Sequence, residues 1–323
     1  MMRPIALTMG DPAGIGGELT LAAWAALRSE TVFYIIGDPD WLRRLGGTVR
    51  EIAAPSEAAA CMADALPVLP ERLERPVTLA QPDARNAAAV VRSIERAVAQ
   101  ALGGEAAAVC TNPINKKALQ DGANFGFPGH TEFLAHLCDS PRPVMMLAGP
   151  DLRVVPVTIH IPLSQVPAAL TPELLEETLR VTHAGLQRDF GIPAPRIAVS
   201  GLNPHAGEGG AMGFDEIERI IPVLHRLAAE GMLVTGPFPA DTMFHPRARA
   251  TYDAAVCMYH DQALIPTKTL NFDDGVNVTL GLPIVRTSPD HGTAYDIAGR
   301  GVARPDSLIA ALRLARDMAG ARA

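Results

Sequence analysis

Residues 4–27 read PIALTMGDPAGIGGELTLAAWAAL, and the reading of this stretch decides the fold class. A short apolar run (4–8) gives way to a glycine-rich turn (10–17) and then to an Ala- and Leu-rich segment of helical length (18–27). Strand, turn and helix in that order open a βαβ unit. The alternation continues outward. Further strands are expected at 32–36, 106–110, 144–147, 154–157, 197–200 and 254–258, and further helices at 87–102, 172–190, 215–229 and 305–318. Within 87–102, Val90, Val91, Ile94, Val98 and Leu102 recur mostly three or four apart and so share one helical face. Thr171 before Pro172 reads as an N-cap with Pro at the first helical position. Leu174 at the third position rules out a capping box, while Glu173 sets a carboxylate in the first turn, where the helix dipole favours it. Asp306 and Ser307 open the last helix in the same manner. The stretch 53–85, rich in Ala, Pro and Glu, reads as a surface excursion. An α/β fold follows, with no internal repeat and no domain boundary marked by composition.

The chain has 323 residues, 48% of them hydrophobic, enough to bury a parallel sheet in one large domain or two lobes. Its formal net charge of -7, with no Lys/Arg run, argues against a nucleic-acid partner. Cys61, Cys110, Cys138 and Cys257 form no C-x-x-C pair, so buried reduced thiols are expected rather than a metal finger or a disulfide scaffold. No signal peptide and no 18-residue apolar window is read; Leu21–Leu27 is cut short by Arg28 and Glu30. The expected compartment is the cytoplasm, without a membrane.

Five stretches carry chemistry. The turn MGDPAGIG (9–16) allows close backbone approach to a ligand, but it fits neither G-x-G-x-x-G nor a P-loop, and it serves equally as a tight turn. Of nine histidines, His160, His205 and His260 each follow a strand run, in TIHIP, NPHAG and YHDQ contexts. In a parallel sheet the carboxyl ends of the strands share one edge, where three imidazoles could bind Zn²⁺ or a similar metal. Asp261 and Asn203 would then fix the tautomers. The competing reading is three ordinary loop histidines. His136, His183 and His225 fall inside helical patterns and read as structural. FPGHTE (127–132) offers a phosphate cradle at a helix start, or simply a capping turn around Thr131. Lys268, Asn277 and Arg286 sit among apolar neighbours, which calls either for an anionic ligand or for a salt bridge to Asp273 or Asp274. Residues 288–299, SPDHGTAYDIAG, read as a ligand-wrapping loop or an elaborate turn.

Taken together, MGDPAGIG, CTNPINKKAL (110–119), FPGHTEFLA (127–135), GLNPHAGEGG (201–210), PADTMF (239–244), YHDQALIPTKTL (259–270), VNVTLGLPIVRTSPDHGTAYDIAG (276–299) and RPDSLIAAL (304–312) resemble the 4-hydroxythreonine-4-phosphate dehydrogenase family of pyridoxal 5'-phosphate biosynthesis. The resemblance spans essentially the whole chain. It implies a two-lobed α/β/α architecture like that of the isocitrate and isopropylmalate dehydrogenase superfamily. The expected lobes are 1–125 plus 261–323 on the cofactor side and 126–260 for metal, substrate and dimerisation. It also implies metal ligands at His160, His205 and His260, with Zn²⁺ favoured over Mg²⁺ or Co²⁺, in a homodimer whose metal site is shared. Substrate contacts fall on His130, Thr131, Lys268, Asn277 and Arg286. Cofactor contacts for NAD or NADP fall on His291, Gly292, Thr293, Ala294 and Asp296, and candidate catalytic groups on Lys268, Asp261 and Asp241. Gly17 departs from the family, which commonly has Pro there. The implied reaction is oxidation of the secondary alcohol of a small phosphorylated hydroxy acid, 4-phosphooxy-L-threonine. The keto acid formed decarboxylates to 3-amino-2-oxopropyl phosphate. Related dehydrogenases acting on D-threonate or D-erythronate 4-phosphate, or on a dihydrodiol dicarboxylate, share the histidines. A non-catalytic binding protein on the same scaffold would lack reason to keep both the histidine trio and the cofactor loop.

Overall fold

The computed structural model describes residues 3–323. In chain order the strands are β1 Ile5–Thr8, β2 Phe33–Gly37, β3 Val49–Glu51, β4 Leu66–Pro70, β5 Ala108–Thr111 and β6 Val144–Ala148. They continue with β7 Arg153–Thr158, β8 Arg196–Ser200, β9 Leu233–Phe238, β10 Ala254–Tyr259, β11 Val276–Leu280 and β12 Arg286–Pro289. The chain divides into two compact units. One takes in the chain up to Pro143 with Leu282–Ala321 and Ala323; the other is Val144–Gly281 with Arg322. The ends of the chain therefore make one unit and its middle the other. Residues 126–143 fall with the ends and 261–281 with the middle, the reverse of the expected boundaries at 125/126 and 260/261. Those two segments carry His130 and Lys268, and no change of composition marks either border.

In the terminal unit the strands lie in the order β3-β4-β2-β1-β5-β12, and the pairings are parallel. Every residue of β1, β2 and β5 is buried, as expected of a parallel sheet covered on both faces. The helix Ala87–Leu102 packs on β1 and β2 through Val90, Ile94 and Val98. The helix Asp306–Ala321 packs on β12, β5 and the helix Gly16–Leu27, tied by Thr287 Oγ1 donating to the Ala311 carbonyl at 2.9 Å. The expected surface excursion is corrected here. β4 lies between β3 and β2, with Leu66, Val68 and Leu69 buried. Pro67 and Pro70 hid a strand whose short apolar run has no periodicity to read. Gly17 faces Trp41 and Leu45, and a Cβ there would come within 2.5 Å of both side chains. A buried indole thus occupies the space that a larger residue at position 17 would need.

The central unit has the order β11-β6-β7-β10-β8-β9. β7, β10, β8 and β9 run parallel, and β6 pairs antiparallel with β7 and β11. Its core gathers Leu147, Val154, Ala198, Met243, Cys257 and Leu264. The helix Pro172–Phe190 starts as read, with Thr171 Oγ1 accepting from the Leu174 N–H at 3.2 Å. The helix expected over 215–229 is divided into a π-helical turn, Glu216–Ile220, and an α-helix, Ile221–Ala229. Pro222 has no N–H to continue the regular ladder, which accounts for the change of hydrogen-bond pattern. The helix His260–Leu270 was not anticipated, because Pro266 lies inside it. Cys61, Cys110 and Cys257 are buried free thiols and Cys138 is partly buried. Burial pushes the Cys110 and Cys257 thiols up to about 12, out of reach of thiolate chemistry. Among the described residues no helix is long and apolar enough to cross a membrane.

Candidate functional site

In the terminal unit, the carboxyl ends of parallel strands β1, β5 and β12 feed three of the loops singled out in the sequence. The glycine turn after β1 is held against the loop after β5: Asp11 N–H donates to the Pro113 carbonyl at 2.8 Å. A Cβ at Gly10 would lie 2.6 Å from that same carbonyl, so glycine is required there. The turn also meets the loop after β12, where Ile15 N–H donates to the Thr293 carbonyl at 3.1 Å. His291, Gly292, Thr293, Ala294 and Asp296 therefore share one loop laid on the glycine turn. His291 Nδ1 lies 3.0 Å from the Gly292 carbonyl, which makes Nδ1 the protonated nitrogen. Its Nε2 is buried without a hydrogen-bond partner, a vacancy suited to a donor from a ligand.

A second cluster in the same unit surrounds Arg286. This arginine, at the start of β12, is 3% exposed, and its Nη2 donates to Thr111 Oγ1 at 2.7 Å. Burial pulls its guanidinium down to about 10, which leaves it charged at neutral pH. His130 begins the helix His130–Leu137, with Gly129 rather than Thr131 as its N-cap. Burial, with the Arg286 charge beside it, pushes the His130 imidazole down to about 3. Its Nε2 has no hydrogen-bond partner. A buried cation, a neutral imidazole lacking a partner and a helix start would together suit an anion: Arg286 would supply charge, His130 and the helix N–H groups donors. Thr131 stands in the first turn of that helix.

The central unit holds the histidines. His160 lies two residues past β7, and His260 opens its helix directly at the end of β10. Because β7 and β10 are parallel neighbours, the two rings meet, with centroids 5.8 Å apart. They line a cleft of about 340 Å³ with Thr158, Leu163, Tyr259 and Asp261. His260 Nδ1 lies 2.7 Å from Asp261 Oδ1, so the carboxylate holds the Nδ1 proton and leaves Nε2 as the nitrogen that a metal would take. Asp261 thus orients an imidazole, as expected. His205 does not join them. No group of three or more His, Cys, Asp or Glu side chains able to hold a metal forms among the described residues of one chain. The two imidazoles are donors of a type that fits a metal, and among the described residues of one chain no third such donor joins them.

His205 sits instead on a turn in which five successive residues, His205 to Gly209, have left-handed backbone angles. The turn is anchored by Glu216, 1% exposed, whose carboxylate accepts from the N–H groups of Leu202 and Asn203 at 2.8 Å and from Asn203 Nδ2 at 3.1 Å. Asn203 also donates to Asp215 at 3.0 Å. The expectation that Asn203 orients His205 is therefore replaced: it ties down the base of the turn. Lys268 is half-buried in the last turn of the helix His260–Leu270. Asn277 lies on β11 with its buried Oδ1 lacking a hydrogen-bond partner, and Asp241 is exposed on the turn Ala240–Thr242. Lys268 and Asn277 belong to the central unit; His130, Thr131 and Arg286 belong to the terminal one. Asp11, Thr111 and Glu216 were not singled out in the sequence, because their partners are remote or their burial invisible there.

Comparison with known proteins adds a consistent picture. The family described as "Pyridoxal phosphate biosynthetic protein PdxA" matches residues 29–315. A "4-hydroxythreonine-4-phosphate dehydrogenase" of Ruegeria sp. (strain TM1040) is 57% identical over 318 residues, 98% of this chain and 97% of that one. The crystal structure of a protein of that name from Klebsiella pneumoniae superposes with a TM-score of 0.90 at 41% identity, covering 99% of this chain and 98% of that one. A terephthalate 1,2-cis-dihydrodiol dehydrogenase from Burkholderia xenovorans is more distant, with a TM-score of 0.69 and 30% identity, covering 98% of each.

Proposed function

The chain belongs to the PdxA family of pyridoxal phosphate biosynthetic proteins, and from that premise we propose that it oxidises the C3 hydroxyl of 4-phosphooxy-L-threonine with NAD⁺. The hydride passes to the nicotinamide and the hydroxyl proton is released. The 3-keto acid then loses CO₂ to give 3-amino-2-oxopropyl phosphate. The observation that carries the reading is identity of 57% along almost the entire length of a 4-hydroxythreonine-4-phosphate dehydrogenase. The dihydrodiol dehydrogenase stands at 30%. The anion site around Arg286 supports it: a buried guanidinium beside a neutral His130 suits a phosphoryl group of the substrate, with Thr131 as a further donor.

A divalent metal, Zn²⁺ by the chemistry of its imidazole donors, would supply Lewis acidity for the alcohol and for decarboxylation. His160 and His260 hold it from one chain, and His205 of a second copy completes the set. Two features support a homodimer. His205 is exposed and joins no metal-binding group among the described residues of its own chain. Large apolar side chains also stay exposed in the central unit, among them Leu163 at 67%, Phe214 at 59% and Phe272 at 76%. Lys268 pairs with a substrate anion or moves a proton. The loop His291–Asp296 holds the adenosine part of NAD⁺, and free thiols fit a cytoplasmic setting.

NADH formation by the purified, Zn²⁺-loaded protein tests the reading. Turnover with 4-phosphooxy-L-threonine and none with a dihydrodiol dicarboxylate is expected. The reverse preference, or preference for D-erythronate 4-phosphate, overturns it.

A further inference from the structure

The loop after β12 has no regular structure of its own, and Ala294 within it takes a left-handed φ of 46°. Contacts from outside the loop hold it in shape. At its ends, Ser307 Oγ accepts from the Asp290 N–H at 3.0 Å and the Glu18 carboxylate accepts from the Gly299 backbone; at its centre, besides the backbone bond from Ile15, the Tyr295 side chain does so. Tyr295 Oη donates to Asp11 Oδ2 at 2.6 Å and accepts from Asn115 Nδ2 at 2.7 Å. Asp11 lies in the glycine turn after β1, and Asn115 caps the helix Lys116–Ala123 after β5, its Oδ1 accepting from the Ala118 N–H. One phenol therefore joins three loops at the carboxyl ends of three strands. Asp11 is 6% exposed and its Oδ1 accepts from the Ala13 N–H at 2.8 Å, so the carboxylate is itself immobile.

We propose that Tyr295 is a positioning residue for dinucleotide binding: its hydroxyl latches the cofactor loop to Asp11 and Asn115 before any cofactor arrives. The inference rests on the reading of residues 291–296 as the cofactor loop. The direction of the bonds is fixed, because Asp11 is a pure acceptor when ionised and the Asn115 amide a donor, so a phenol satisfies both at once. Burial and the Asp11 carboxylate push the Tyr295 hydroxyl up to about 12, so it stays protonated wherever the enzyme works. A loop ordered during folding does not have to be ordered by the ligand, and that saving appears as affinity.

Tyr295→Phe removes one oxygen and keeps the ring. Two measurements are made on it: amide hydrogen exchange of residues 291–299 without ligand, and the dissociation constant of NAD⁺ by calorimetry. Exchange should quicken and the NAD⁺ constant rise, each about tenfold, the factor equivalent to one hydrogen bond to a charged group. The constant for 4-phosphooxy-L-threonine should not move, a split that general damage to the fold would not produce. Adding Asp11→Asn to Tyr295→Phe should cost less than the two changes summed. Unchanged exchange overturns the latch. Quickened exchange with unchanged NAD⁺ affinity overturns the positioning role, and Gly292→Trp then tells which reading failed. A Cβ at Gly292 meets nothing within 4 Å and its φ lies outside the left-handed region, so the backbone there accepts a side chain, and a circular-dichroism spectrum matching the parent checks that the variant is folded. If it blocks NAD⁺, the cofactor loop stands and only the latch falls; if it does not, the cofactor reading falls too.

Discussion

At the scale of single residues, the neutrality of His130 is the property most open to test. Its imidazole is held down at about 3 against an ordinary 6.5, so the unfolded chain binds a proton between those values and the folded chain does not. The sign follows: this contribution to stability is complete above about pH 6.5 and is lost as pH falls toward 3. In urea unfolding at a series of pH values, His130→Gln should show a shallower loss of stability than the parent across that window. Parallel curves would mean that the ring is not held neutral. Thr131→Val should raise KM for the phosphorylated substrate about tenfold and leave the NAD⁺ constant unchanged; equal losses would make the residue structural. Gly17→Ala should destabilise the fold by about 1–3 kcal/mol, because the new methyl meets the rigid Trp41 ring. The types of these residues were legible in the sequence, and so were their motifs. What could not be read was which of them share a place: Asp11 and Tyr295 lie 284 positions apart, and no local pattern connects them.

At the scale of elements, the helices with clean periodicity and ordinary caps were legible almost to the residue, as Ala87–Leu102 and Pro172–Phe190 show. Replacing the cap in Thr171→Ala should cost about 1 kcal/mol in chemical unfolding, with activity retained. No change would mean that the bond to Leu174 is redundant. Strands expected from apolar runs all appeared within a residue or two of their places. Elements that were missed share a cause. β4 is punctuated by prolines, and the helix His260–Leu270 contains Pro266, whose missing N–H argues against a helix when no tertiary contacts are visible. Side-chain bonds sustain that helix locally, with Thr267 and Thr269 hydroxyls donating to the carbonyls of Ala263 and Ile265. The π-helical turn at Glu216 is a further case. It places a buried carboxylate under the His205 turn, and a regular 3.6-residue period predicts no such position.

For the whole molecule, the division of the histidines makes the proposed shared metal site testable. Because His160 and His260 meet in one chain and His205 stays apart, complementation should follow that division. A mixed dimer of His205→Ala with His260→Ala should regain about half the activity of the parent, since one of its two sites escapes both changes when the sites act independently. His160→Ala with His260→Ala should stay inactive in every combination. Activity in the second pair, or none in the first with zinc content verified, would refute a site shared in this manner. The sequence pointed to three histidines as candidate metal ligands but not to which of them meet within one chain, since all three follow strands whose carboxyl ends are adjacent. The turn bearing His205 has a last consequence. Viewed in a mirror, residues 205–209 would form an ordinary right-handed helical turn, so L-amino acids here build a short length of backbone natural to their enantiomers. Chemical synthesis with D-alanine at position 206 should therefore stabilise the protein, by about 1–2 kcal/mol. Genetic change has no such monomer. At positions 206 and 208 it can relieve the mismatch only through glycine, which has no handedness, or asparagine, which tolerates the wrong one.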